Sequence, residues 1–148
     1  MLNAINNKKV KKLDDHSPLA LYKLYKALAF VENSNENVSS SITHLEEAIK
    51  AAGDLANREP LRFMISETYL NAAHACIYLL RHQEALEYAE LSVNSTAIIL
   101  MAINHVQLSG PEMFTLSQLE EMRMSQIDCQ VHSFMVKAQA LEKLAHFN

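Results

Sequence analysis

The chain has 148 residues, 49% of them apolar and 20% charged, with a net charge of −4. That length supports a hydrophobic core without disulfide or metal staples, and two glycines, three prolines and no tryptophan leave too few turn residues for a hairpin-rich sheet protein. Residues 1–17 hold Lys8, Lys9, Lys11 and Lys12 against Asp14 and Asp15, so the remainder stands at −6; an acidic body is ill suited to nucleic acid, whose phosphates dominate affinity.

In chain order, "KKVKKL" at 8–13 reads as part of a flexible, solubilising tail over 1–17, with a short nuclear-import signal as the other reading. The polar start lacks an apolar run of the secretory type, so no signal peptide is expected. Pro18 opens the first helix-forming run, "SPLALYKLYKALAFVE", since a proline in the first turn sacrifices only an N–H that has no helical partner. The loop "NSNEN" (33–37) follows, made of poor helix formers. A second helix is predicted over 38–52, with Ile42, Leu45, Ala48, Ile49 and Ala52 on one face and Gly53 closing it in a left-handed conformation.

Pro60 opens the next pair. One helix is predicted over 60–80 and another over 84–107, joined by Arg81-His82-Gln83, with a break expected near Asn94-Ser95-Thr96. "TAIILMAINHV" (96–106) is the most apolar run. At about 11 residues it is too short to span a bilayer, so it is expected inside the protein, with no membrane span. After Gly110-Pro111, a long helix is predicted over about 112–147. Ser117-x-x-Glu120 is a possible capping box that would delay its start. Leu116, Leu119, Ile127, Val131, Phe134, Ala138, Leu141 and Ala145 follow steps of three and four and form its apolar stripe. Met113, Met122, Met124 and Met135 are expected to fill gaps in the core.

The fold class expected is therefore all-α: stacked antiparallel helical hairpins at about 18–52 and 60–107, about five helices in all, ending in a long C-terminal helix. A helical hairpin of this size cannot bury its apolar face alone, and stacking supplies the shared core. Hairpin starts near 18, 60 and 111 lie roughly 42 and 51 residues apart.

"NAAHACIYLLRHQEALEYAELSV" (71–93) keeps small residues where two helices would touch: Ala73, Ala85, Ala89 and Ser92. Extended back to Ser66, it resembles a tetratricopeptide repeat, a 34-residue helical hairpin. Tyr69 falls on the bulky fourth position and Ala73 on the small eighth. Ala85, Ala89 and Ser92 fall on the twentieth, twenty-fourth and twenty-seventh, while Ala97 stands where the repeat closes on proline. In the first hairpin Leu45 and Ala48 take the twenty-fourth and twenty-seventh positions, and Ala27 takes the eighth if the turn is about two residues longer. Phe134, Ala138 and Leu141 match positions four, eight and eleven of a further first helix. A second helix would then be expected beyond Asn148, so the last helix reads as a cap or as the start of a longer array.

The resemblance implies a non-catalytic module that binds a peptide or helix of another protein in a concave groove lined by first helices. On this chain those residues are Glu67, Leu70, Asn71, His74 and Ile77, then His132, Met135, Val136 and Gln139. Asn71 stands where chaperone-binding members hold a peptide carboxylate. Leu24, Leu28, His132 and Val136 replace the other residues of that clamp, so a neutral, partly apolar groove is expected.

Cys76 and Cys129 read as free thiols of a reducing compartment, so the expected location is cytoplasmic, with nuclear or ciliary and cytoskeletal alternatives. His74 and Cys76 diverge on a helix, and Cys129 with His132 makes only two ligands, so no metal or other cofactor is expected. The sequence has neither a phosphate loop nor a nucleophile elbow, and no enzymatic activity is expected. Glu84, Glu87 and Glu90 read as a solvated face. The alternative function within the same fold is a structural subunit of a larger assembly, cytoskeletal or ciliary, docked through the long last helix.

Overall fold

The computed structural model describes residues 17–57, 61–109 and 115–147. The rest of the basic tail, Pro60, Gly110, Pro111 and Met113 lie outside the described residues. Among the described residues all regular structure is helical, in two units divided between Leu61 and Arg62.

The first unit holds α1 (Pro18–Ser34) and α2 (Val38–Ala52). Ser17 caps α1, its Oγ accepting from Ala20 N at 3.3 Å, with Pro18 in the first turn as expected. Such a cap is worth about 1 kcal/mol. α1 ends in a Schellman turn: Asn37 N donates to Glu32 O (2.9 Å) and Glu36 N to Asn33 O (3.1 Å). Glu36 sits in the left-handed region at φ 61°. Asn37 then caps α2 by accepting from Ser40 N, and Gly53 ends α2 at φ 47° with its N–H on Ile49 O. Leu21, Tyr22 and Ala29 are buried on α1, and Ile42, Leu45, Ala48 and Ala52 on α2. Ser41 Oγ donates across the hairpin to Ala29 O at 3.0 Å, and the Tyr25 and His44 rings stack.

The second unit holds α3 (Ile65–Tyr78), α4 (His82–Ser109) and α5 (Leu116–Phe147). The helix expected from residue 60 starts later: Leu61–Phe63 is a 3-10 turn and α3 begins at Ile65. The α3–α4 turn is Leu79–Arg81, two residues ahead of the expected Arg81–Gln83. It is again a Schellman turn, with Arg81 N on Cys76 O (2.8 Å), Leu80 N on Ile77 O (3.1 Å) and Leu80 at φ 62°. Arg81 pairs with Glu84 in the first turn of α4.

α4 shows no break at Asn94-Ser95-Thr96; it is continuous from His82 to Ser109. Thr96 is buried and its hydroxyl donates to Val93 O at 2.9 Å, so a poor helix former is held by its own helix and by its packing. By length and composition alone His82–His105 could cross a bilayer. In this fold its Ala85, Ala89, Ser92, Thr96, Ile99 and Ile103 are buried.

The cap of α5 also differs from expectation. Thr115 and Gln118 form the reciprocal box, Thr115 N on Gln118 Oε1 (2.9 Å) and Gln118 N on Thr115 Oγ1 (3.1 Å), two residues ahead of Ser117 and Glu120. Glutamine serves as well as glutamate at the third position.

The two hairpins repeat one pattern at a spacing of 44 residues. The left-handed turn residues are 36 and 80. Buried Tyr22 corresponds to Ser66, Ala29 to Ala73, Leu45 to Ala89, Ala48 to Ser92 and Ala52 to Thr96. The small residue of α1 at the crossing is thus Ala29, and Ala27 is exposed. No longer turn is needed, because both hairpins use the same one.

Candidate protein-docking face

Three helices of the second unit meet along a seam of small polar residues. Ser92 Oγ on α4 donates to Ser66 O on α3 (2.9 Å) and lies 2.7 Å from Ser133 Oγ on α5. Ser133 Oγ is also 2.6 Å from Cys129 O, and Cys129 Sγ is 3.7 Å from Ser92 Oγ. Ser66 Oγ donates to Gln126 Oε1 at 2.9 Å. All five side chains are buried. Small side chains let the axes approach, and the hydroxyls avoid the cost of an unpaired buried polar group by bonding one another.

Below the seam Leu70, Ala73, Ala89, Cys129 and Val136 form an apolar cluster, with Ile77 and Tyr88 packed against it. Farther along, Ile99 and Ile103 of α4 meet Leu119 of α5, with Met122 alongside. α4 and α5 are therefore antiparallel, with Lys137 Nζ 3.9 Å from Glu90 across the pair.

α3 and α5 run in the same direction. Ser66 pairs with Gln126, and two turns on His74 lies close enough to His132 to feel its charge. His74 is held below the ordinary imidazole range first by partial burial and then by His132. His132 Nδ1 contacts Asp128 O at 2.8 Å, and the Asp128 carboxylate lies 3.6 Å away.

The residues expected to line the groove thus fall on two adjacent helices. Glu67, Asn71 and His74 are exposed on α3; His132, Met135 and Gln139 are exposed on α5. Ile77 is half-buried against the cluster, and Leu70 and Val136 lie beneath as a floor. A ligand laid across α3 and α5 would meet a carboxylate, two imidazoles, two amides and a thioether. Tyr69, on the same helix, is raised above the usual phenol range by burial.

Helix α5 reverses one expectation. Of the predicted stripe only Leu119 is buried; Leu116, Ile127, Val131, Phe134, Ala138, Leu141 and Ala145 are exposed. The face turned inward is Leu119, Gln126, Cys129, Ser133, Val136 and Ala140. Close approach to α3 and α4 selects small side chains, so the large ones are turned out. The methionines follow suit: Met122 packs inward, while Met124 and Met135 are exposed. The outward stripe had been legible as a run of threes and fours, but its direction had not.

Among the described residues no group of three or more His, Cys, Asp or Glu side chains could hold a metal ion. Comparison of the chain with family models, with curated proteins and with solved structures finds no match.

Proposed function

We propose that the chain is a non-catalytic protein-interaction module of the tetratricopeptide-repeat kind, acting in the cytoplasm, that docks a peptide or helix of another protein across α3 and α5. The observation that carries this reading is the adjacency of α3 and α5, which presents Glu67, Asn71, His74, His132, Met135 and Gln139 over an apolar floor. The recurring hairpin, with small residues at its crossings and one turn geometry, supports the repeat assignment. Ser66 to Ser92 spans 27 positions, as in such a repeat, and the extra length lies between hairpins, over residues 53–64. Backbone polar groups are consumed inside helices, so selectivity rests on side chains.

The test is selection of a displayed random-peptide library on the intact chain, followed by calorimetry on the recovered peptides. Asn71→Ala and Met135→Ala, both at exposed positions, are expected to weaken binding about tenfold each, the loss of roughly 1.4 kcal/mol. Peptides that bind both variants as tightly as the unaltered chain would move the site elsewhere. The reading as a structural subunit is favoured by a separate observation, the large apolar side chains exposed on α5 and at Phe30 of α1. Such surfaces mark interaction sites more often than free surface.

A further inference from the structure

The outward stripe of α5 is an unbroken heptad pattern. Met124, Val131 and Ala138 take the a positions, and Ile127, Phe134 and Leu141 the d positions, all exposed. At about 100° per residue the stripe lies roughly 140° around α5 from the face packed on α3 and α4. A further helix can therefore lie along it without displacing either. The flanks are charged with opposite signs. The e positions carry Asp128, Met135 and Glu142; the g positions carry Arg123, Gln130, Lys137 and Leu144.

This arrangement identifies the occupant. In a parallel two-stranded coiled coil each g residue faces the e residue five places on in the other strand. Two copies of α5 would then set Lys137 against Glu142, twice over by symmetry. They would also set Arg123, which in the single chain bonds Glu120 and Asn104 at 3.2 Å, on the side facing the partner's Asp128. An antiparallel pair sets e against e and g against g, which forms no opposite-charge pair in any register. Asp128 and Glu142 are well exposed, at 76% and 70% of their side chains. Lys137 reaches Glu90 only at 3.9 Å, longer than a hydrogen bond, and so can turn to a partner's carboxylate. We propose that the protein self-associates through α5, which pairs in parallel with α5 of a second copy along Met124, Ile127, Val131, Phe134, Ala138 and Leu141. The pairing does not cover the exposed residues of α3, nor His132 and Gln139 at b positions of α5; of the α3–α5 face it shares only Met135, at an e position.

The test is sedimentation equilibrium on the intact chain from low to high micromolar concentration. The unaltered chain is expected to sediment as a dimer, and Val131→Glu combined with Phe134→Glu as a monomer with unchanged helical circular dichroism and melting. Glu142→Lys is expected to raise the dimer dissociation constant about tenfold, and adding Lys137→Glu to restore it. Orientation is read from disulfides. Ile127→Cys is expected to cross-link to its own copy, as d meets d only in parallel strands, while the unaltered chain with buried Cys76 and Cys129 stays uncross-linked. A monomer at every concentration would overturn the proposal. So would a dimer indifferent to the double glutamate variant, or cross-linking of Val131→Cys to Phe134→Cys in a mixture when Ile127→Cys gives none.

Discussion

Ser92 offers the sharpest test of the three-helix seam. It has no exposed surface, and its hydroxyl links all three helices, donating to Ser66 O and accepting from Ser133 Oγ. In Ser92→Ala, Ser133 still has Cys129 O as an acceptor at 2.6 Å, so the loss is close to one neutral hydrogen bond. That is worth about 0.5–1.5 kcal/mol. Ser92→Leu adds a bulky side chain where the axes are held together by small residues, and overpacking costs roughly 1–3 kcal/mol or more. For a unit of this size each kcal/mol lowers the melting temperature by about 4–8 °C. The two variants should therefore rank in that order, by thermal and urea denaturation followed by far-UV circular dichroism. The pair Ser92→Ala and Ser133→Ala should couple by at least about 0.5 kcal/mol in a double-mutant cycle. A Ser92→Leu protein as stable as the parent, or strict additivity of the alanine pair, would show that the seam is neither tight nor connected.

Four other perturbations follow from the described geometry. Leu80→Gly should stabilise by about 0.5–1 kcal/mol in urea titrations, because the left-handed conformation penalises leucine by roughly 1–2 kcal/mol and the added freedom of glycine offsets only part of that, and the Leu80 side chain is 75% exposed with little packing to lose. Thr115→Ala should cost about 1 kcal/mol and speed hydrogen exchange in the first turn of α5, whereas Ser117→Ala, outside the observed cap, should do neither. Leu70→Ala should cost about 2–5 kcal/mol, as its side chain fills the cluster with Ala73, Ala89, Cys129 and Val136, while Met135→Ala should leave the melting temperature within about a degree or two. The lowered pKa of His74 means that the unfolded chain takes up the proton first as pH falls; stability from this group is full above the unfolded-state value near 6.5 and declines as pH falls below it towards the depressed native value. His74→Gln should accordingly flatten the acid side of the melting temperature against pH, and an identical acid slope in the variant would remove His74 from the account.

The helical class and the ends of the first hairpin were legible because punctuation and period agree there. Ser17-Pro18 and Gly53 occupy the ends they were expected to occupy. The misplacements share a cause: each depended on tertiary context. Asn94-Ser95-Thr96 reads as a break because those residues favour bonding their own backbone, yet burial of Thr96 keeps the helix whole. Glu36 and Leu80 carry no local mark of a left-handed turn, because neither is glycine. Their spacing of 44 residues becomes visible only once the two turns are seen to match. Of the residues expected to line a groove, those on α3 and α5 other than Ile77, Leu70 and Val136 are exposed, and the polar seam beneath them carries no apolar signal in the sequence. Serine and cysteine at three- and four-residue steps give no hydrophobic signal, although Cys129, Ser133, Val136 and Ala140 keep that period.

The reversal on α5 has a consequence for assembly. A helix that must lie close to two neighbours has to present small side chains to them, and in this chain the inward face spends Cys129, Ser133 and Ala140 on that task. The free energy of burying large apolar groups is then left unused on the opposite face, where Ile127, Val131, Phe134 and Leu141 meet solvent. At about 25 cal/mol for each Å² removed from water, a row of such side chains exposed along about four turns is a standing driving force for association. Alternation of charge sign across the row decides which association is favoured. The same close packing that holds α3, α4 and α5 together therefore leaves α5 with a large apolar face turned to solvent, and the charges flanking that face complement those of a second α5 laid parallel to it.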